Sequence, residues 1–133
     1  MKNETVILLL SHGGLAEEMV KTVKLIAGTV EDVHFINFKP CLSFDEFRKM
    51  LDEFMKKNGK RPVLVLVDLI GGSCYNACSD YIKEENVRLF AGFNLGFVLE
   101  AIFLRKAHAL DKLAAELDKR REKLLVYVNP WIK

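Results

Sequence analysis

Two short segments of this chain contain the residues best suited to catalysis or to ligand binding. Residues 11–14 (SHGG) follow an apolar run and contain His12, and residues 68–73 (DLIGGS) follow another apolar run and begin with Asp68. A histidine beside adjacent glycines, with a helix starting directly after them, lies next to backbone N–H groups that favour anions. Such an imidazole can accept a phosphoryl group, act as a general base or serve only as a hydrogen-bonding group.

Asp68 is the natural partner of His12. A carboxylate at the end of an apolar strand costs free energy unless it is paired or solvated. If the two strands are neighbours, Asp68 binds one ring N–H of His12 and leaves the other ring nitrogen bare as a nucleophile. The same carboxylate stabilises the cation that forms when that nitrogen is substituted. The structural alternatives are that Asp68 caps the strand end through local amides and that residues 13–14 form only a tight turn.

The two segments also supply backbone N–H groups and one hydroxyl for the oxygens of a phosphoryl group. Glycine lets the backbone approach a bulky oxyanion closely, and the second segment ends where another helix is predicted to begin. The expected phosphoryl-binding residues are Gly13, Gly14, Gly71, Gly72 and Ser73.

Apolar runs alternate with helical spacings along the chain, which predicts an α/β fold. Runs without polar alternation, such as 6–10 and 63–67, are typical of strands covered on both faces. The expected architecture is a doubly wound, mostly parallel five-stranded sheet with helices on both faces. Ligands bind beyond the carboxyl ends of strands in such sheets, where both segments fall. Strands are predicted at 5–10, 33–38, 63–67, 87–91 and 124–128, and helices are predicted to begin at Leu15, Phe44, Ser73, Leu95 and Asp111.

Composition narrows the class of protein. The chain has 133 residues, a formal net charge of +2 and no Lys/Arg run longer than three residues, which argues against nucleic-acid binding. Its apolar runs fall far short of the ~20 residues that span a bilayer, and its first residues lack a cleavage-type pattern, so a cytoplasmic protein is expected. Three cysteines fit free thiols in a reducing compartment. Residues 1–133 are expected to form a single domain.

Several familiar sites lack their sequence patterns. Neither the G-x-G-x-x-G pattern of dinucleotide binding nor the phosphate-binding loop G-x-x-x-x-G-K-[ST] occurs. Ser11 precedes His12 where histidine phosphatases have arginine, which argues against hydrolysis. Cys74 and Cys78 would share one helix face, but a lone C-x-x-x-C is a weak metal signal and free thiols often behave as small hydrophobes. No metal and no cofactor are expected.

Three stretches of the chain resemble the IIA component of the mannose-type (mannose, fructose, sorbose) family of the bacterial phosphoenolpyruvate-dependent sugar phosphotransferase system. They are residues 6–28, 63–77 and 91–104, which with their spacing cover nearly the whole chain. The resemblance implies an α/β domain that pairs as a homodimer and exchanges its last strand between subunits. It also implies that His12 accepts a phosphoryl group from the phosphocarrier HPr and passes it to a IIB component, and thereby serves the membrane IIC/IID transporter indirectly. Asp68 and Ser73 take the places of the family's aspartate and of the hydroxyl in its G-G-S motif.

Two positions depart from the family pattern. Cys74 and Gly96 stand where the family usually has proline, which pre-sets a first helical turn, so both loops are expected to be looser. The chain also ends at Lys133 without a linker to a IIB domain, which predicts a free-standing IIA.

Two other interpretations of the function stay open. One is a IIA-like subunit that feeds a dihydroxyacetone kinase, although that group tends to have Ser-His-Ser; the other is a regulatory module that senses a small anion. The sequence does not identify the sugar.

Overall fold

A four-stranded, all-parallel sheet with the strand order β2-β1-β3-β4 forms the centre of the computed structural model, which describes residues 4–132. Helices follow the strands in the alternation that the sequence predicts. The strands are β1 (Val6–His12), β2 (Val33–Phe38), β3 (Val63–Val67) and β4 (Val87–Ala91), and the α-helices are α1 (Leu15–Ala27), α2 (Phe44–Asn58), α3 (Ser73–Ala77), α4 (Leu95–Leu104) and α5 (Leu110–Arg120).

Helices cover both faces of the sheet, which confirms the predicted α/β class. On one face, alternate residues of β1 and β3 pack against α1, α4 and α5. On the other face, the intervening residues of the same strands pack against α2 and α3. This two-sided burial explains the unbroken apolar runs, because every residue of β3 and all of β1 except His12 are buried.

The predicted count of five strands is wrong for the single chain. Residues 124–128, which were expected to form the last strand, contain none. Leu124 is held in place, since its carbonyl accepts a hydrogen bond from Asn94 Nδ2 at 2.9 Å, but Leu125 and Tyr127 are 86% and 75% exposed. A β-prone sequence forms a strand only where a neighbouring strand provides hydrogen bonds, and residues 124–128 pair with none of β1 to β4.

Several predicted element ends shift by a few residues. The first strand continues beyond Leu10 because Ser11 and His12 pair with Asn37 and Phe38 of β2. The helix predicted to follow Gly72 is only five residues long. The last predicted helix ends at Arg120 and continues as a 3-10 turn, Arg121–Lys123. Within residues 4–132, no helix is both long enough and apolar enough to cross a membrane.

Candidate functional site

The strand order places the two chemically suited segments side by side. The chain moves from β1 to β2 on one side of the sheet and returns to place β3 on the other side of β1, so strand order reverses between β1 and β3. Ligands of open α/β sheets bind at such a switch point, beyond the carboxyl ends of the strands. His12 ends β1, and Asp68 directly follows β3. The condition set by the sequence, that these two strands be neighbours, is confirmed by their parallel pairing.

Asp68 holds His12 through two contacts with one carboxylate oxygen. Asp68 Oδ2 lies 2.8 Å from His12 Nδ1 and accepts a hydrogen bond from the backbone N–H of His12 at 2.9 Å. The other oxygen, Oδ1, accepts from the backbone N–H of Leu69 at 2.9 Å. The carboxylate is largely buried, with 9% of the side chain exposed, whereas 46% of the His12 side chain is exposed.

These contacts keep Asp68 ionised. Burial acts most strongly on its pKa and would raise it, but the backbone N–H of His12, the His12 side chain and the local amide together outweigh burial and hold the pKa below the ordinary value of 3.8. An ionised carboxylate beside Nδ1 accepts a hydrogen bond from that nitrogen. The tautomer that follows carries its proton on Nδ1 and a free lone pair on Nε2.

The glycine turn after His12 is set by the buried hydroxyl of Ser11. Ser11 Oγ accepts a hydrogen bond from the backbone N–H of Ala16 at 2.7 Å, which ties the first turn of α1 to the end of β1. Gly13 takes a φ of 57°, a left-handed conformation that favours glycine. Its N–H donates to the carbonyl of Phe38 at 2.9 Å. That amide is therefore engaged in the fold, and a phosphoryl contact with it would have to share or break this bond.

The second glycine segment approaches the His12 ring closely. A Cβ atom added to Gly72 would lie 3.3 Å from His12 Cε1, and the Gly72 backbone is not left-handed, with a φ of −81°. Gly71 does need glycine, because its φ is 79°. The structure thus brings Gly72 to the imidazole, and the absence of a side chain at this position makes room for the ring.

Sequence reasoning missed two neighbours of His12. The ring of Phe38 lies beside the imidazole with centroids 5.9 Å apart, and Phe38 is the residue opposite His12 in the β1–β2 register. Cys74 is fully buried and offers its sulfur close to both His12 and Asp68. Burial, with smaller contributions from Asp68 and Cys78, raises the pKa of Cys74 to about 12. In the sequence, Cys74 was marked only by the weak C-x-x-x-C pattern and by the missing proline, and the sequence alone favoured a packing role.

Two apolar side chains that follow Asp68 are open to solvent. Leu69 and Ile70, directly after Asp68, are exposed. Phe93 is half-buried and packs against the core beneath α1 and α4. An exposed imidazole bordered by apolar side chains suits contact with a protein partner better than enclosure of a small molecule.

The chain is thus an open parallel α/β domain with a half-exposed histidine, oriented by a carboxylate, at the point where its strand order reverses. The family model of the PTS system fructose IIA component matches residues 6–118. The chain therefore belongs to the IIA family of the fructose and mannose type of the sugar phosphotransferase system.

Individual relatives agree with this assignment. The mannose-specific EIIAB component of Escherichia coli (strain K12) is 32% identical over 108 residues, which are 79% of this chain and 33% of that protein. The chain thus spans about a third of the length of that relative. The sorbose-specific EIIA component of Lacticaseibacillus casei is 25% identical over 117 residues, which are 87% of this chain and 85% of that protein.

Solved structures share the fold over nearly the whole chain. The phosphotransferase system component EIIA from Streptococcus agalactiae superposes with a TM-score of 0.86 at 26% identity and covers 95% of this chain and 98% of its own. The mannose/sorbose specific IIA subunit from Enterococcus faecalis gives a TM-score of 0.85 at 27% identity and covers 93% and 94%.

Proposed function

We propose that this chain, as a single IIA domain over residues 1–133, carries phosphoryl groups for sugar uptake. His12 accepts the group from phospho-HPr in the cytoplasm and passes it to a IIB component, which serves a membrane IIC/IID transporter. The observation that carries the proposal is the contact of 2.8 Å between Asp68 Oδ2 and His12 Nδ1. It leaves Nε2 of a half-exposed ring as the atom that can be phosphorylated.

The transfer is an in-line displacement between two imidazoles. The P–N bond of phospho-HPr breaks as a bond forms between phosphorus and His12 Nε2, and the HPr imidazole leaves with the electron pair of the broken bond. The proton on Nδ1 stays in place against Asp68 Oδ2. Because the His12 ring gains positive charge in this step, the ionised carboxylate stabilises the product. The same geometry serves the onward transfer, since the step to IIB is its reverse with a different partner.

Positioning and charge stabilisation do most of the work in a phosphoryl transfer of this kind. We assign the phosphoryl oxygens to the N–H groups of Gly14, Gly71 and Gly72 and to the Ser73 hydroxyl. Gly13 contributes its left-handed turn, and its amide bond to Phe38 supports that turn. The step uses these protein groups alone.

Exposed apolar side chains next to Asp68 provide a docking surface for the protein partners. Leu69 and Ile70 lie directly beyond β3, and Ile70 is 78% exposed. Burial of such side chains at the centre of an interface, with water excluded from the phosphoryl group, suits a carrier that must react with proteins and resist hydrolysis.

A homodimer is also proposed, with residues 124–128 of each chain added to the β4 edge of its partner. β4 pairs with β3 on one side only, and a cavity of about 460 Å³ runs along its other edge, lined in part by Leu89, Ala91 and Ile70. Residues 124–128 are β-prone and expose Leu125 and Tyr127. A second copy therefore supplies the strand that this edge lacks and covers the apolar side chains of the segment.

The proposal is tested by incubating the protein with phosphoenolpyruvate, enzyme I and HPr, followed by a IIB component. The expected product is an acid-labile, base-stable phosphoprotein that loses its label when IIB is added. His12→Ala is expected to abolish labelling and retain the circular dichroism of the parent. His34→Ala is the matched control, because His34 lies on β2 and contacts Asp32 rather than the site. Full labelling of His12→Ala would contradict the assignment, and saturable phosphate binding without labelling of the parent would favour an anion sensor.

A further inference from the structure

His12, Asp68 and Cys74 place three different donor atoms at one point of the molecule. One ligand atom from each residue, a ring nitrogen, a carboxylate oxygen and the thiol sulfur, lies within 4.8 Å of the other two. In the described range, 4–132, this is the one group of three or more His, Cys, Asp or Glu side chains that meets this distance. The proposed phosphoryl transfer uses the first two residues and has no role for the thiol.

This donor set matches a particular class of cation. Thiolate and imidazole ligands select borderline-soft ions such as Zn²⁺, whereas Mg²⁺ and Ca²⁺ prefer oxygen ligands alone. Bonds of about 2.0–2.3 Å in a tetrahedral site put donor atoms roughly 3.3–3.6 Å apart. The donor atoms here lie at most 4.8 Å apart, so the longest separation has to shorten by no more than about 1.5 Å, whereas His12 Nδ1 and Asp68 Oδ2, at 2.8 Å, have to move slightly apart. Rotation of the half-exposed His12 side chain supplies such a movement.

We propose that His12, Asp68 and Cys74 form a Zn²⁺-binding site, and that a bound ion stops His12 from accepting a phosphoryl group. The inhibitory part rests on the proposed function of His12. When the ion binds, the Cys74 thiol loses its proton to solvent as the metal–sulfur bond forms, and nothing is oxidised or reduced. The ion takes a lone pair of the imidazole and the carboxylate that orients it. It also leaves one tetrahedral position open, as in sites with three protein ligands.

Metal binding is tested first on the unphosphorylated protein, without any partner. Titration with Co²⁺, a spectroscopic substitute for Zn²⁺, is expected to give tetrahedral d–d bands and a thiolate-to-cobalt charge-transfer band. The charge-transfer band is expected to vanish in Cys74→Ala and to persist in Cys78→Ala. Cys78 is the matched control, because it is also buried, packs in the same core cluster and lies outside the three-residue group. Circular dichroism checks that both variants are folded.

Zn²⁺ affinity provides the second measurement. Calorimetric titration is expected to show one site per chain, with affinity lowered on the order of tenfold or more in His12→Ala and in Cys74→Ala, since even the outer-shell partners of metal ligands contribute that much. Equal affinity in the parent and Cys74→Ala, or a charge-transfer band that depends on Cys78, would overturn the site.

Inhibition is measured with purified phospho-HPr, so that Zn²⁺ cannot act on enzyme I. Each protein is compared with itself, as the ratio of labelling rates with and without Zn²⁺. The ratio is expected to fall well below one for the parent and for Cys78→Ala, to return to one with a chelator, and to stay near one for Cys74→Ala. Metal binding without inhibition would overturn the regulatory part. Metal binding by a protein that phospho-HPr never labels would instead overturn the proposed function and leave the metal site standing.

Discussion

Asp68 Oδ2 contacts both the backbone N–H and the Nδ1 atom of His12, at 2.9 and 2.8 Å, across a separation of 56 residues. One carboxylate oxygen thus fixes both the main chain at the end of β1 and the orientation of the His12 ring. Because both contacts favour the ionised carboxylate, the same pair links the chemistry of the site to its stability.

Replacing Asp68 with Asn is expected to slow phosphorylation of His12 without unfolding the protein. An amide still fills the space and can contact Nδ1, but it no longer favours one tautomer and does not neutralise the ring cation. A loss of about 10- to 100-fold in the rate of labelling from phospho-HPr is expected, by analogy with carboxylates that orient metal-bound histidines. Rapid-quench labelling measures the rate, and an unchanged rate would show that Asp68 only caps the strand end.

The stability contributed by Asp68 is expected to be lost in acid. Its pKa in the folded protein is below the ordinary value of 3.8 that applies to the unfolded chain. The contribution is therefore fully present above about pH 5 and disappears as the pH falls through the lowered pKa. The loss of stability caused by Asp68→Asn, measured as the difference in urea midpoint from the parent, should be larger at pH 5 than at pH 3. A difference that grows on acidification would contradict the direction of the pKa shift.

Gly72→Ala is expected to disturb His12 by steric contact alone. The backbone at Gly72 suits alanine, but the new Cβ would lie 3.3 Å from His12 Cε1, so the ring must move by a few tenths of an ångström. Phosphorylation should slow roughly three- to tenfold, because in-line transfer is sensitive to small displacements. Gly14→Ala, which keeps its N–H, has a φ of −100° and meets no atom within 4 Å, should lose less. An equal loss of phosphorylation rate in the two variants would show that the effect comes from a change in the backbone and not from displacement of the His12 ring.

Truncation after Lys123 is expected to convert a dimer into a monomer or an aggregate. The deletion removes the exposed apolar segment and leaves the edge of β4 without the proposed strand. Light scattering at micromolar concentration measures the mass of the parent and of the truncated chain. The double variant Leu125→Asp/Tyr127→Asp keeps the chain length and should weaken the dimer in the same way. A monomeric parent would reject the dimer and leave the His12 mechanism untouched.

The strands and the chemistry of their ends could be predicted from local sequence. The apolar run of β3 is buried on both faces, so its unbroken pattern carried the information directly. The glycine pairs after β1 and β3 marked turns that a side chain would obstruct, and Gly13 and Gly71 do adopt left-handed conformations. His12 and Asp68 could be paired in advance only on the condition that β1 and β3 are neighbours.

Tertiary structure decided which residues meet. The order β2-β1-β3-β4 satisfies that condition, and the β1–β2 register puts Phe38 opposite His12. The nearness of Cys74 to this pair depends on how α3 packs under the sheet, which residue spacing along the chain does not encode. Residues 124–128 show that a favourable local sequence does not by itself produce a strand. Their β-propensity is local, but a strand requires hydrogen bonds from a neighbour, and residues 124–128 pair with none of β1 to β4.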